Sequence, residues 1–159
     1  MTEEKRRKEG RGLGRLSDYI PWIKVYEVKS SGVCWRILGE KTNRIHHFLS
    51  TLEKKVFLFY DNHSEVIDIR EQFPLDLKET LAISSFLKLK HISFEDKPVT
   101  MTTDFLIDFK DKQIAISVKP KGKLTIQALK KFQVEFNYWR NLSVPCFIYT
   151  ETEIAELEN

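Results

Sequence analysis

Cysteine is nearly missing from this chain: Cys34 and Cys146 are the only two among 159 residues. They are too few and too far apart for a disulfide framework or a zinc motif. Reduced thiols in a cytoplasmic protein are therefore expected. No apolar run approaches the ~18 residues of a membrane span, and the charged N-terminus lacks the apolar segment of a secretory signal. Glycine is scarce too, six in all. No Gly-rich loop joins a strand to a helix, which argues against a nucleotide-binding fold. Ser84-Ser85 has no His-Asp arrangement beside it, so serine hydrolysis is not expected. No internal repeat or low-complexity linker is present.

Charge of one sign is also in short supply, with 26 Lys and Arg against 23 Asp and Glu. The surplus sits in residues 1–16, where Lys5, Arg6, Arg7, Lys8, Arg11 and Arg15 face Glu3, Glu4 and Glu9. The remainder is balanced. A basic flexible arm (1–16), one domain (17–150) and an acidic tail (151–159) are expected, with no further C-terminal domain. The arm suits a polyanion such as DNA and equally a solvated tail. A second basic zone, Lys112 to Val134, carries Lys112, Lys119, Lys121, Lys123, Lys130 and Lys131 and no acid. It suggests a face for phosphate groups.

What is present in quantity is alternation. Trp22 to Val28 and Val33 to Leu38 read as strands joined across Ser30-Ser31-Gly32. Residues 49–62 predict a helix with Ser50 as its cap, and Glu53 stands three residues on. Glu65 to Phe73 predicts a strand ending at Pro74. Asp76 and Glu79 open a helix to about Leu89. Two strands follow between Met101 and Pro120. Leu124 to Leu142 predicts a helix with Leu129, Phe132, Phe136 and Trp139 on one stripe, and Pro145 to Thr150 a buried strand. The order favours an α/β fold, a mixed central sheet flanked by helices.

The hairpin between Met101 and Pro120 carries the chemistry. A turn at Asp111-Lys112 pairs Asp108 with Ala115, Leu106 with Ser117 and Asp104 with Lys119, and directly opposed Cβ atoms lie ~4.5–5.5 Å apart. Parity puts Asp104, Asp108, Ser117 and Lys119 on one face and Phe105, Ile107, Ile114, Ile116 and Val118 on the other, toward a core. Such a pair is either a surface ion pair, contributing ~0–1 kcal/mol, or part of a metal site. Glu53 carries the same ambiguity. It completes a capping box, yet Val56, Phe57 and Tyr60 share its helical stripe, and a carboxylate facing a core is costly unless paired or bound to metal. Two carboxylates and a lysine suit Mg²⁺, which takes one or two protein carboxylates and fills its other positions with water and phosphate oxygens.

The Asp…x-Lys pattern with an earlier helical Glu resembles the restriction-endonuclease-like nuclease core. More specific are DYIPW (Asp18 to Trp22), HHFLSTLE (His46 to Glu53), IDIREQFPL (Ile67 to Leu75), TTDFLID (Thr102 to Asp108) and VKP (Val118 to Pro120). In this order and at these intervals they resemble the TnsA family, endonuclease subunits of heteromeric bacterial transposases. The similarity runs from about Gly10 to Thr150.

The resemblance implies a Mg²⁺-dependent endonuclease, with Mn²⁺ able to substitute, that cuts the 5′ ends of a transposon. A TnsB-like transposase subunit cuts and joins the 3′ ends, and a TnsC-like ATPase regulates both. Carried onto this chain, the metal-binding acids are Glu53 and Asp104, the catalytic lysine is Lys119, and Glu135 matches an acid of the following helix. Ser117 stands where the family usually has Glu or Gln, leaving the Val118 carbonyl or water as a further metal ligand. That departure admits an alternative, a non-catalytic DNA-binding assembly module. The family's longer members continue into a regulator-binding helical domain, which places the ATPase contact in doubt. DNA would be held by the arm and by Lys121, Lys123, Lys130 and Lys131. His46-His47, Asp68, Arg70 and Glu71 are candidates for structural or DNA-contact roles, and Trp22 and Trp35 for core anchors.

Overall fold

A computed structural model describes residues 1–29 and 32–159. Its centre is a four-stranded mixed sheet in the order β3 (Val66–Pro74), β6 (Thr102–Phe109), β7 (Gln113–Val118), β8 (Cys146–Tyr149). The first two junctions are antiparallel and the last is parallel. Two small hairpins stand beside it, β1 (Trp35–Leu38) with β2 (Ile45–Phe48), and β4 (Ser93–Phe94) with β5 (Lys97–Pro98). The helices are α1 (Glu3–Lys8), α2 (Thr51–Asp61), α3 (Leu77–Phe86), α4 (Ile126–Asn141) and α5 (Glu151–Leu157).

Both sheet faces are covered. On one, Val56, Phe57 and Tyr60 of α2 and Ile154 of α5 pack with Phe105, Ile107 and Ile116. On the other, Ile83 of α3 and Val134 and Trp139 of α4 pack with Leu106 and Ala115. The hairpin face expected to be polar therefore also lies inside the molecule, because α3 and α4 roof it. Helix starts follow their capping residues. The Ser50 hydroxyl accepts from Glu53 N–H at 3.1 Å, and the Asp76 carboxylate accepts from Glu79 N–H at 3.1 Å. The Asp76 N–H donates to the Tyr138 hydroxyl at 3.3 Å.

Several expectations need correction. Trp22 to Val28 is not a strand. A single 3-10 turn, Val25–Glu27, forms there, because the Glu27 carboxylate takes Lys24 N–H and the Arg11 guanidinium. The expected Ser-Ser-Gly hairpin turn falls at Ser30 and Ser31, outside the described residues. The hairpin partner of β1 is instead β2, which carries His46 and His47.

Residues 1–16 are not a free arm. Glu3 and Arg7 bond Thr100, Arg6 and Arg7 lie over the Trp22 ring, and Arg11 is 4% exposed with its guanidinium on Glu27, Glu9 and the Trp22 carbonyl. Residues 151–159 are not a tail either, since α5 buries Ile154 in the first core. On α4 the side turned to the sheet carries Phe132, Glu135 and Trp139, while Leu129 and Phe136 are exposed.

Candidate active site

The hairpin turns one residue earlier than expected, with Phe109 N–H donating to the Lys112 carbonyl at 2.8 Å. The register is Phe105 with Ile116, Leu106 with Ala115 and Asp108 with Gln113. Asp104 therefore lies across from Ser117 rather than from Lys119. Sliding by two keeps side-chain parity, so Asp104, Ser117 and Lys119 still share a face, and all three line one cavity of about 70 Å³ with Thr102, Lys131, Phe132 and Glu135. That space admits a few waters or a hydrated ion, far below the ~300 Å³ of a small-molecule pocket. A large substrate must meet this site at its mouth.

Asp104 is half-buried, and its Oδ2 accepts from the Val118 N–H at 2.7 Å. Glu53, buried at the start of α2, is held through both carboxylate oxygens. One takes the Ser50 hydroxyl at 3.1 Å, and the other takes the Leu49 N–H at 3.0 Å and the Gln72 amide at 3.3 Å. The same amide stands close enough to Asp104 to favour its ionised form. Glu135, also buried, accepts from the Thr103 hydroxyl at 2.9 Å, which in turn accepts from the Trp139 ring N–H at 2.7 Å.

Asp104 opposes both glutamates. Burial, and then the charge of Asp104, push Glu53 up to about 8 and Glu135 likewise to about 8. Burial also raises Asp104, against the Val118 N–H, Lys119 and Lys131, which favour its ionised form. Among the described residues none of the three makes an ion pair, and no three His, Cys, Asp or Glu side chains form a ready set of ligands. The donor set fits a hard divalent cation that takes two carboxylates and completes its shell with water and phosphate oxygens. Glu53 and Asp104 would hold it, and the charge would relieve their mutual repulsion.

A pH dependence follows. Glu53 and Glu135 ionise near 4.5 when unfolded and near 8 when folded, so the folded chain binds more protons between these values. Their contribution to stability is full below about pH 4.5 and is lost as pH rises through about 8. The metal-free unfolding temperature should drop by roughly 5 °C or more between about pH 5.5 and about pH 8.5. Saturating Mg²⁺ should remove most of that drop. A flat metal-free profile by circular dichroism contradicts the mutual opposition of the carboxylates.

The remaining candidates are accounted for by ion pairs. Glu71, fully buried, takes both Arg44 guanidinium nitrogens (2.9 and 2.7 Å), His46 Nδ1 (2.8 Å) and the His47 N–H (3.0 Å). His46 is sealed between Thr42 and the Phe48 and Phe57 rings, and His47 Nδ1 accepts from the Val25 N–H at 3.3 Å. Both histidines are structural, on strand β2. Asp108 takes Arg70 at 2.9 Å, Arg15 and Gln113, so Arg70 and Arg15 spend their charge on Asp108. Arg11 is likewise neutralised, and with Arg15 it leaves the set of open cationic groups expected for DNA. Lys5 and Lys8 remain exposed, as do Lys121, Lys123, Lys130 and Lys131 near the cavity. Trp22 is buried and Trp35 packs against the first core under Lys54.

Gln72 was missed in the sequence. Alternation makes it an ordinary strand residue, and only the fold sets it between the two acids.

A mixed sheet flanked by helices, with Asp104, Glu135 and Lys119 lining one cavity against its two inner strands and Glu53 near Asp104, defines the class: a restriction-endonuclease-like core. The family model for the TnsA-like endonuclease N terminal matches residues 63–151, which include Asp104, Lys119 and Glu135 and leave Glu53 outside. The chain belongs to this TnsA-like family. It is 47% identical over 154 residues to the transposon Tn7 transposition protein TnsA of Escherichia coli, a match covering 94% of this chain and 56% of that protein. The chain thus spans little more than half the length of that curated relative. Among the described residues no helix is long and apolar enough to cross a membrane.

Proposed function

We propose that this chain is a Mg²⁺-dependent DNA endonuclease that cuts the 5′ ends of a transposon within a heteromeric cut-and-paste transposase. The observation that carries the reading is the convergence of Asp104 and Lys119 on one small polar cavity, with Glu53 linked to Asp104 through a shared amide. Glu53 and Asp104 would hold Mg²⁺, or Mn²⁺ in its place, with the Val118 carbonyl or water as a further ligand. When bound, the ion polarises the phosphodiester and favours ionisation of water.

Lys119 orients the attacking water and offsets negative charge that builds on the phosphate. Its ammonium is free of any ion pair among the described residues, so it is available to the substrate. Attack in line leaves a 3′-hydroxyl and a 5′-phosphate. Exposed Lys121, Lys123, Lys130 and Lys131 hold the DNA backbone beside the cavity, and Glu135 sits behind Asp104. A TnsB-like transposase subunit acts on the 3′ ends.

Cleavage of a supercoiled plasmid carrying transposon ends, with the transposase subunit and Mg²⁺ present, tests the reading. Lys119→Ala should lower 5′-strand cleavage by ~10²–10⁴-fold while 3′-strand cleavage continues. Undiminished 5′ cleavage removes the catalytic role. One observation favours a second reading, the DNA-binding assembly module: Ser117 places a short uncharged hydroxyl where the family usually has Glu or Gln. Calorimetry in which the wild-type chain takes up neither Mg²⁺ nor Mn²⁺ decides for that module.

A further inference from the structure

We propose that Gln72 is a positioning residue, whose side-chain amide clamps the Glu53 and Asp104 carboxylates into one orientation and presents them together to the divalent cation. This inference rests on the metal-dependent reading above.

Gln72 has φ +46°, in the left-handed region, within strand β3. A non-glycine residue there is strained and persists only where its surroundings over-determine it. The ladder shows the disturbance. Glu71 pairs with Phe105 and Phe73 with Thr103, whereas Gln72 and Asp104, which that register sets opposite, form no regular pair. The regular β6–β7 pairs also stop at Phe105 with Ile116. Gln72 thus departs from the ladder where its side chain meets Glu53, a second irregularity in β3 beside the register shift between Val66 and Asp68.

Its anchors come from three directions. The Gln72 carbonyl accepts from the Trp22 N–H at 3.1 Å and the Tyr19 hydroxyl at 3.4 Å. The preceding residue is locked by Arg44, His46 and the His47 N–H, and the following ring stacks on Tyr19. The DYIPW segment thereby gains a physical role, since Tyr19 and Trp22 hold the strained peptide. The product of the strain is a 2%-exposed amide that donates to Glu53 at 3.3 Å and reaches Asp104. Glutamine supplies two N–H donors on one nitrogen, which suits it to join two carboxylates that otherwise repel. Outer groups that orient metal-binding side chains typically contribute 10–100-fold to metal affinity.

Titration of the metal-stripped 159-residue chain with Mn²⁺ by calorimetry tests the role, with thermal unfolding measured alongside. Gln72→Gly deletes the amide and enters the left-handed region freely. Gln72→Met deletes it and keeps the volume, so the measurement survives if either variant fails to fold. Both should bind Mn²⁺ ~10–100-fold more weakly, with the unfolding temperature of Gln72→Gly close to wild type. Gln72→Asn, which keeps an amide and tolerates the backbone, should recover part of the affinity. Affinity of Gln72→Gly or Gln72→Met within about twofold of wild type overturns the positioning role and leaves the metal site standing. An equal loss in all three variants, asparagine included, overturns the amide's part in it. A wild-type chain that takes up no Mn²⁺ overturns both this inference and the metal-dependent reading.

Discussion

Replacing Asp104 by asparagine should abolish Mg²⁺-dependent strand cleavage, by ~10³-fold or more, and at the same time stabilise the metal-free protein. The two effects share one cause. Asp104 is the charge that, after burial, most raises Glu53 and Glu135. Asparagine has the same shape and keeps an oxygen for the Val118 N–H, which now bonds Asp104 at 2.7 Å. It removes the charge that opposes its neighbours and also the charge a divalent cation needs. Above about pH 8 the metal-free variant should unfold at a temperature roughly 3–6 °C higher than wild type. Added Mg²⁺ should shift it little, because ligand stabilisation requires binding. Wild-type cleavage by Asp104→Asn contradicts the assignment outright. Lost cleavage with a lower metal-free unfolding temperature makes Asp104 a structural acid rather than a metal ligand.

The opposition between stability and activity at Asp104 also shows which features a linear sequence can display. Helices α2 and α3 were legible because their start signals are local, a Ser or Asp cap and then three residues to the N–H it receives, and α4 was legible through its helical apolar spacing. The strands β6 and β7 were legible through alternation. Their register was not. Lys110, Asp111 and Lys112 have no positive φ, so no glycine-type signal marks the corner, and the turn settled one residue earlier than expected. The error preserved the face because a slip of two preserves parity, which is why Asp104, Ser117 and Lys119 still meet while the opposed pair differs.

Tertiary forces hid the rest. Trp22 to Val28 alternates well enough for a strand, but buried ion pairing between Arg11 and Glu27 dictates a tight turn there. Charges in residues 1–16 looked like a solvated arm because their partners lie at Glu27, Trp22 and Thr100, distant in sequence. Glu135 rather than Phe136 faces the sheet, where the Thr103 hydroxyl donates to it, a partner that an apolar stripe does not predict. Gln72 was invisible for the strongest reason: its backbone conformation is imposed by Tyr19, Trp22 and the Glu71 network, and no property of glutamine announces it.

That network supports the other large prediction. Glu71→Ala should destabilise the fold by about 3–5 kcal/mol, the range for breaking a buried charged pair, which is a large part of the ~5–15 kcal/mol of a typical domain. The Glu71 carboxylate receives four hydrogen bonds from Arg44, His46 and His47, and neither Arg44 nor His46 has water in reach to replace it, at 8% and 0% exposure. Burial alone would raise this acid. The His46 and Arg44 hydrogen bonds and charges outweigh it and bring Glu71 down to about 2. Because its folded value lies below the unfolded one, its stabilisation is present above about pH 4.5 and disappears as pH falls through about 2. Glu71→Gln should retain the shape and lose the charge, costing less than alanine and blunting the acid transition. Mn²⁺ affinity should fall with stability in both variants, since Glu71 precedes the strained peptide that aims Gln72. A Glu71→Ala protein that unfolds within about 3 °C of wild type and binds Mn²⁺ normally contradicts the chain of support from the Arg44–His46–Glu71 cluster to the two acids.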